Sequence, residues 1–174
     1  MSENLKGGIN GPHGQNVKRT DDWLTPQHII KALGPFDLDP CAAPEPRPWP
    51  TAKAHWSRPR IDGLARAWRG RVWMNPPYGT ATGEWVAKLA QHGNGIALVF
   101  ARTDTRFWHD EVFAKADAIL FLDGRLTFCY PDGTAAGANS GGPSALVAFG
   151  KESVTTLERC GLPGKLFTMW RGQK

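Results

Sequence analysis

Two consecutive prolines close a short apolar run in Arg71-Val72-Trp73-Met74-Asn75-Pro76-Pro77-Tyr78-Gly79, and they limit the fold more than any other stretch. Val72, Trp73 and Met74 suit a buried strand, whereas a proline pair cannot continue a sheet ladder. A residue before proline is pushed out of the helical region. Asn75 and Pro76 are therefore both held extended at the carboxyl end of the strand. Neither proline has an N–H, so the corner offers acceptors.

The Asn75 side-chain oxygen and the Pro76 carbonyl can converge on one point, with the Tyr78 ring beside it. Such a set suits a planar group that carries an amino nitrogen with two hydrogens. The lone pair of a nucleobase amine is delocalised into its ring; accepting both hydrogens localises it for attack. Tyr78 would hold the ring by stacking, worth roughly 1–3 kcal/mol per base. Two plainer readings stay open, a tight turn built from Asn, Pro and Gly and a polyproline-type ligand at Pro76-Pro77-Tyr78.

The rest of the chain reads as alternating strands and helices. Thr25 and Pro26 suit the N-cap and first position of a helix through Ile29, Ile30 and Leu33, closed by Gly34 and Pro35. Phe36-Asp37-Leu38-Asp39-Pro40-Cys41-Ala42 is a short strand that ends in an acid, a proline and small residues. Open α/β sheets bind ligands at such carboxyl ends, and of the alternating acids Asp39 is favoured over Asp37 to face the ligand. Residues 43–53 form a proline-rich loop, and Ala54-His55-Trp56 a second short strand. Asp62-Gly63 by itself reads as an ordinary turn.

Beyond the corner, Thr82 to His92 fits an amphipathic helix ended by Gly93. Ile96 to Phe100 reads as a central parallel strand. Arg102 is placed for phosphate or for a neighbouring carboxylate, and Thr105 for capping a helix that carries Phe107, Trp108, Val112 and Phe113. Ala118–Leu122 and 143–150 pair as a hairpin at the sheet edge around the glycine-rich stretch 131–142. A short helix over 153–160 and a strand over 166–170 finish the chain. Arg125 either binds phosphate or braces the corner.

Asn75-Pro76-Pro77-Tyr78 after a strand resembles the catalytic motif of S-adenosylmethionine-dependent amino-group methyltransferases. Trp23-Leu24-Thr25-Pro26, Asp39-Pro40-Cys41-Ala42, Asp62-Gly63-Leu64 with Trp68, Arg102-Thr103-Asp104-Thr105, the Gly124 to Phe128 segment and Pro143 to Val147 occur in the order of the phage-type, Dam-like DNA N6-adenine methyltransferases. The resemblance spans about residues 23–150. It implies a single-domain Rossmann-like methyltransferase sheet, mostly parallel with an antiparallel edge hairpin and helices on both faces, over residues 21–174 after a flexible 1–20 tail. It implies S-adenosylmethionine as cofactor, contacted by Thr25, Pro26, Asp37, Asp39, Pro40, Cys41, Ala42, Asp62 and Asn75. Transfer to the N6 amine of a flipped-out adenine falls to Asn75, Pro76, Pro77 and Tyr78. DNA, expected as a duplex, falls to Arg102, Arg125 and Tyr78. The glycine-rich turn of wider methyltransferases is replaced by Ala42-Ala43-Pro44. RNA or protein glutamine as substrate, or an inactive nucleic-acid-binding remnant, are the competing expectations.

Composition bears on partners only. A formal net charge of +5 favours a polyanion, to which Lys18 and Arg19 would contribute. No apolar run reaches transmembrane length, so a soluble, cytoplasmic protein is expected. Cys41, Cys129 and Cys160 lack metal-ligand spacing, so neither a metal site nor a disulfide is expected. Most of the eight tryptophans belong to a core; Trp23 and Trp49 alone lie in loop-like settings.

Overall fold

The computed structural model describes residues 23–57 and 59–169. Lys18, Arg19, the expected tail and Trp170 lie outside these. Among the described residues seven strands form one sheet in the order β2-β1-β3-β4-β6-β5-β7. They are β1 (Leu38–Asp39), β2 (Ala54–His55), β3 (Val72–Met74), β4 (Gly95–Phe100), β5 (Ala118–Leu122), β6 (Ser144–Phe149) and β7 (Gly164–Thr168).

The strand pattern sorts the core into two layers, because successive side chains leave a strand on opposite faces. Val72, Met74, Ala97, Val99, Val147 and Phe149 face helix α2 (Thr82–His92) and a π-helical stretch at Trp108–Phe113. Trp73, Ile96, Leu98, Leu120 and Leu146 face α1 (Gln27–Leu33) and α3 (Lys151–Arg159). Both faces are therefore covered, and β3, β4 and β6 are buried nearly throughout.

The expectation of a mostly parallel sheet is corrected. β1 pairs in parallel with β2 and β3, and β3 with β4. The longer ladders, β4–β6, β5–β6 and β5–β7, are all antiparallel. Nor is the β5–β6 pair an edge hairpin: β6 inserts between β4 and β5, and β7 forms the edge. An apolar run reads the same whichever way its neighbour points, so β4 gave no warning that one neighbour is parallel and the other antiparallel.

Helix α2 keeps its expected limits. Gly93 closes it in the left-handed region at φ 72°, its N–H bonding the Leu89 carbonyl. α1 starts one position later than expected. Pro26, at ψ 137°, is the capping residue and its carbonyl accepts from the Ile29 N–H. The Thr25 hydroxyl is buried and bonds nothing. Thr105 does stand at the start of the next helix, its carbonyl accepting from the Trp108 and His109 N–H groups, but its hydroxyl donates back to the Arg102 carbonyl at 2.7 Å. Among the described residues no helix is long and apolar enough to cross a membrane.

Candidate active site

The carboxyl ends of β1, β3 and β4 come together at one crevice, and β3 delivers its corner there. Asn75 is half-buried, Pro76 buried and Pro77 exposed. The Asn75 carbonyl accepts from the Cys41 thiol at 3.3 Å, which ties the loop after β1 to the corner. Burial pushes the thiol's pKa well above its ordinary value, so Cys41 serves as a neutral donor.

The Asn75 side chain is held from both sides. Its amide nitrogen donates to the Trp23 carbonyl at 3.3 Å, and its oxygen accepts from the Tyr78 hydroxyl at 3.1 Å. An amide oxygen has two lone pairs, so one further hydrogen bond stays available there. Thr82 fixes the exit of the corner, donating to the Pro77 carbonyl and accepting from the Gly79 N–H, both at 3.0 Å.

Tyr78 is less open than its sequence position suggests. Its ring stacks on Phe100 with centroids 4.1 Å apart and planes 17° apart, and meets Phe128 edge-on at 6.3 Å. One face is thus taken by the end of β4. Burial also raises the phenol's pKa, which keeps its proton in the bond to Asn75.

The two acids of β1 part company. Asp39 is 3% exposed; its carboxylate accepts from the Thr51 hydroxyl and, at 3.2 Å, from the Cys41 N–H. Burial pushes its pKa up to about 6, against the pull of those two donors. Asp39 thereby shapes the 39–42 turn from behind, with Pro40 and Ala42 buried within it. Asp37 precedes the strand at its other end, where it accepts from the Arg71 N–H and from Lys53, each at 2.8 Å. Those donors hold its pKa below the usual carboxylate value. The Asp37 carboxylate thus ties the entries of β1 and β3, at the other end of the strand from Asp39.

Asp62 caps the turn Gly63–Ala65 by accepting from the Leu64 N–H at 3.0 Å. A side chain on Gly63 would strike the Pro40 carbonyl. Close approach of two backbones is what glycine permits, and it sets Asp62 beside the β1 turn. Trp68 locks the same turn, donating from its indole to the Gly63 carbonyl at 2.8 Å. Arg102 is exposed, with its guanidinium 5.8 Å from the Phe100 centroid. Arg125 donates to the Ser140 carbonyl at 3.1 Å, a bond that clamps the glycine-rich stretch rather than the corner.

Several partners carried no local signal. Thr51 sits in an irregular loop, and only the folded chain brings its hydroxyl to Asp39. Leu24 forms an antiparallel bridge with Cys129, which lays Trp23 across the corner. Trp49 secures that roof by donating to the Thr25 carbonyl at 3.1 Å. Phe100 was visible as a strand end, but its stacking with Tyr78 appears only once the corner is folded beside β4.

Two cavities meet at Trp23 and Tyr78. One, of about 30 Å³, touches Asn75, Pro76 and Cys41. The other, of about 230 Å³, reaches Phe100, Phe128 and the 136–141 segment. Among the described residues no group of His, Cys, Asp and Glu is arranged to hold a metal ion. The donor set suits an organic cofactor with a polar end in one respect. The orphaned Thr25 hydroxyl costs about 1–3 kcal/mol unless something bonds it, and it lies two residues from Trp23.

Comparison with known proteins agrees with this geometry. No curated protein and no solved structure matched the chain. The family model for DNA N-6-adenine-methyltransferase (Dam) matches residues 14–160, a span that contains β1 to β6 and every residue of the corner. The chain belongs to the Dam family of DNA N-6-adenine-methyltransferases.

Proposed function

We propose that the protein transfers a methyl group from S-adenosylmethionine to the N6 amine of an adenine flipped out of DNA. The observation that carries this reading is the state of Asn75. Its carboxamide is oriented by Trp23 and Tyr78 at a strand end, with one lone pair of its oxygen still to be used.

The cofactor supplies an electrophilic methyl group. Thr25 and Pro26 under the Trp23 roof, the 39–42 turn and Asp62 are the residues that would hold it. The 30 Å³ beside Asn75 is about the share of one liquid water.

Base extrusion follows from reach, since N6 cannot meet a methyl donor from inside the stack. Asn75 and the Pro76 carbonyl accept the two amine hydrogens and turn the nitrogen lone pair towards the methyl carbon. A new N–C bond replaces the S–C bond, and the alkylated amine sheds one proton to water. No strong base is required. Holding the reactants in such a geometry supplies about 7–11 kcal/mol in favourable systems. The exposed Arg102 stands beside Phe100, where it can meet DNA phosphate.

The test offers the protein S-adenosylmethionine labelled on its methyl group, with duplex DNA, RNA and a protein extract in parallel. Label in N6-methyladenine from DNA is the expected result. Label in RNA or glutamine would keep the chemistry of the corner and move the substrate. Cofactor binding with no label in any of them would overturn the reading.

A further inference from the structure

The geometry points to the 230 Å³ cavity beneath the glycine-rich stretch as the pocket for the target base, with Trp23 as its stacking wall and Asn139 as the side chain that reads the edge of the base. This rests on the adenine reading above and adds to it the residues that hold the base.

Size argues first. The cavity holds several times the roughly 30 Å³ of one water, yet falls below the roughly 300–1,000 Å³ of sites for larger ligands. It suits one planar heterocycle and excludes a whole nucleotide. Its position argues second. Trp23 and Tyr78 line both this cavity and the small one that touches Asn75. A ring seated in the larger space can therefore pass an exocyclic amine to the corner.

The walls are aromatic where a base needs faces. Phe100 already covers one side of Tyr78 and Phe128 is buried in the core, so the more open aromatic surface is that of Trp23. Trp23 is half-buried and is steadied by Tyr130, 5.4 Å away between ring centroids. The polar contribution comes from Asn139. The Thr127 hydroxyl donates to its amide oxygen at 2.7 Å, so the amide nitrogen is the end left to offer hydrogens. Every ring nitrogen along the pairing and major-groove edges of adenine is an acceptor. Guanine has no amine at C6 to place at the corner, so the corner rejects it, while the Asn139 amide hydrogens suit the N7 acceptor that both purines carry.

The test uses the full chain, unmethylated duplex DNA of mixed sequence and labelled S-adenosylmethionine. Ala138→Trp, a substitution at an exposed position of the cavity rim, fills the space. It is expected to cut methylation of DNA at least 100-fold while cofactor affinity by calorimetry and bulk DNA affinity by anisotropy stay within twofold. Trp23→Ala is expected to lower kcat/KM 5- to 150-fold, the range that one lost base stack implies, and Trp23→Phe to restore most of it. Asn139→Ala should cost about tenfold in kcat/KM. Wild-type rates in Ala138→Trp, or an Asn139→Ala enzyme within twofold of wild type, would overturn the pocket while leaving the reaction intact. A wild-type protein that labels no DNA would overturn the adenine reading itself.

Discussion

β3 and β6 flank β4 on its two sides, and the contrast between them divides the molecule. On one side β3 pairs with β4 over three residues, in parallel, and stops at a proline pair. On the other, β6 pairs over six residues, antiparallel, and is buried from end to end. The first side is a row of strands two or three residues long. Of these, β1 and β3 end early enough to turn the residues that follow them into the crevice. The second side carries the ladder and the apolar layers. Short strands that place reactive groups can be tolerated because a long ladder next to them holds the sheet together.

The largest effect should separate the two sides outright. Leu146→Ala in β6, a fully buried position paired with Leu98 and Leu120, is expected to cost about 2–5 kcal/mol of stability. Rate per folded molecule should stay near wild type; urea unfolding and a titration of active protein measure both. A loss of turnover without a loss of stability would erase the division.

Asn75→Ala is the mirror case. The rate should fall about 100- to 1,000-fold, as when one preorganised hydrogen-bonding group is removed from an active site, with cofactor affinity retained. Near-normal methylation by this variant would remove Asn75 from the mechanism.

Asp39 belongs to both sides, as a buried charge that builds a loop. Its pKa of about 6 lies above the unfolded value of 3.8, so between about pH 4 and 6 the native protein keeps a proton that the unfolded chain has released. Its contribution to stability accordingly falls as pH rises through that window, by up to about 3 kcal/mol. Asp39→Asn should flatten this part of the stability–pH curve and leave the variant more stable at pH 7 than wild type. An unchanged curve would mean that Asp39 is ionised at little cost.

The smallest change sharpens the corner itself. Tyr78→Phe keeps the stack on Phe100 and removes only the hydroxyl that orients Asn75. A loss of about 0.5–1.5 kcal/mol, or 2- to 12-fold in kcat with KM unaltered, is expected. A larger rise in KM instead would show that the ring, and not the hydroxyl, governs substrate binding.

The sequence alone determined what neighbouring residues decide. The limits of α2, the positions of β3, β4 and β5 and the Asn75 to Tyr78 corner follow from apolar spacing, proline geometry and a left-handed glycine, all of which act over a few residues. Tertiary structure decided the rest. Whether β6 lies beside β4 or at an edge depends on pairings between residues far apart, and Val147 looks equally apolar in either place. Asp37 and Asp39 are two positions apart and chemically alike, yet Lys53 and Arg71 draw one to the entry of the strand while Thr51 and burial hold the other at its exit. Tyr78 was legible as an aromatic at the corner; that one face is spent on Phe100 was not, since only the folded corner brings those two rings together.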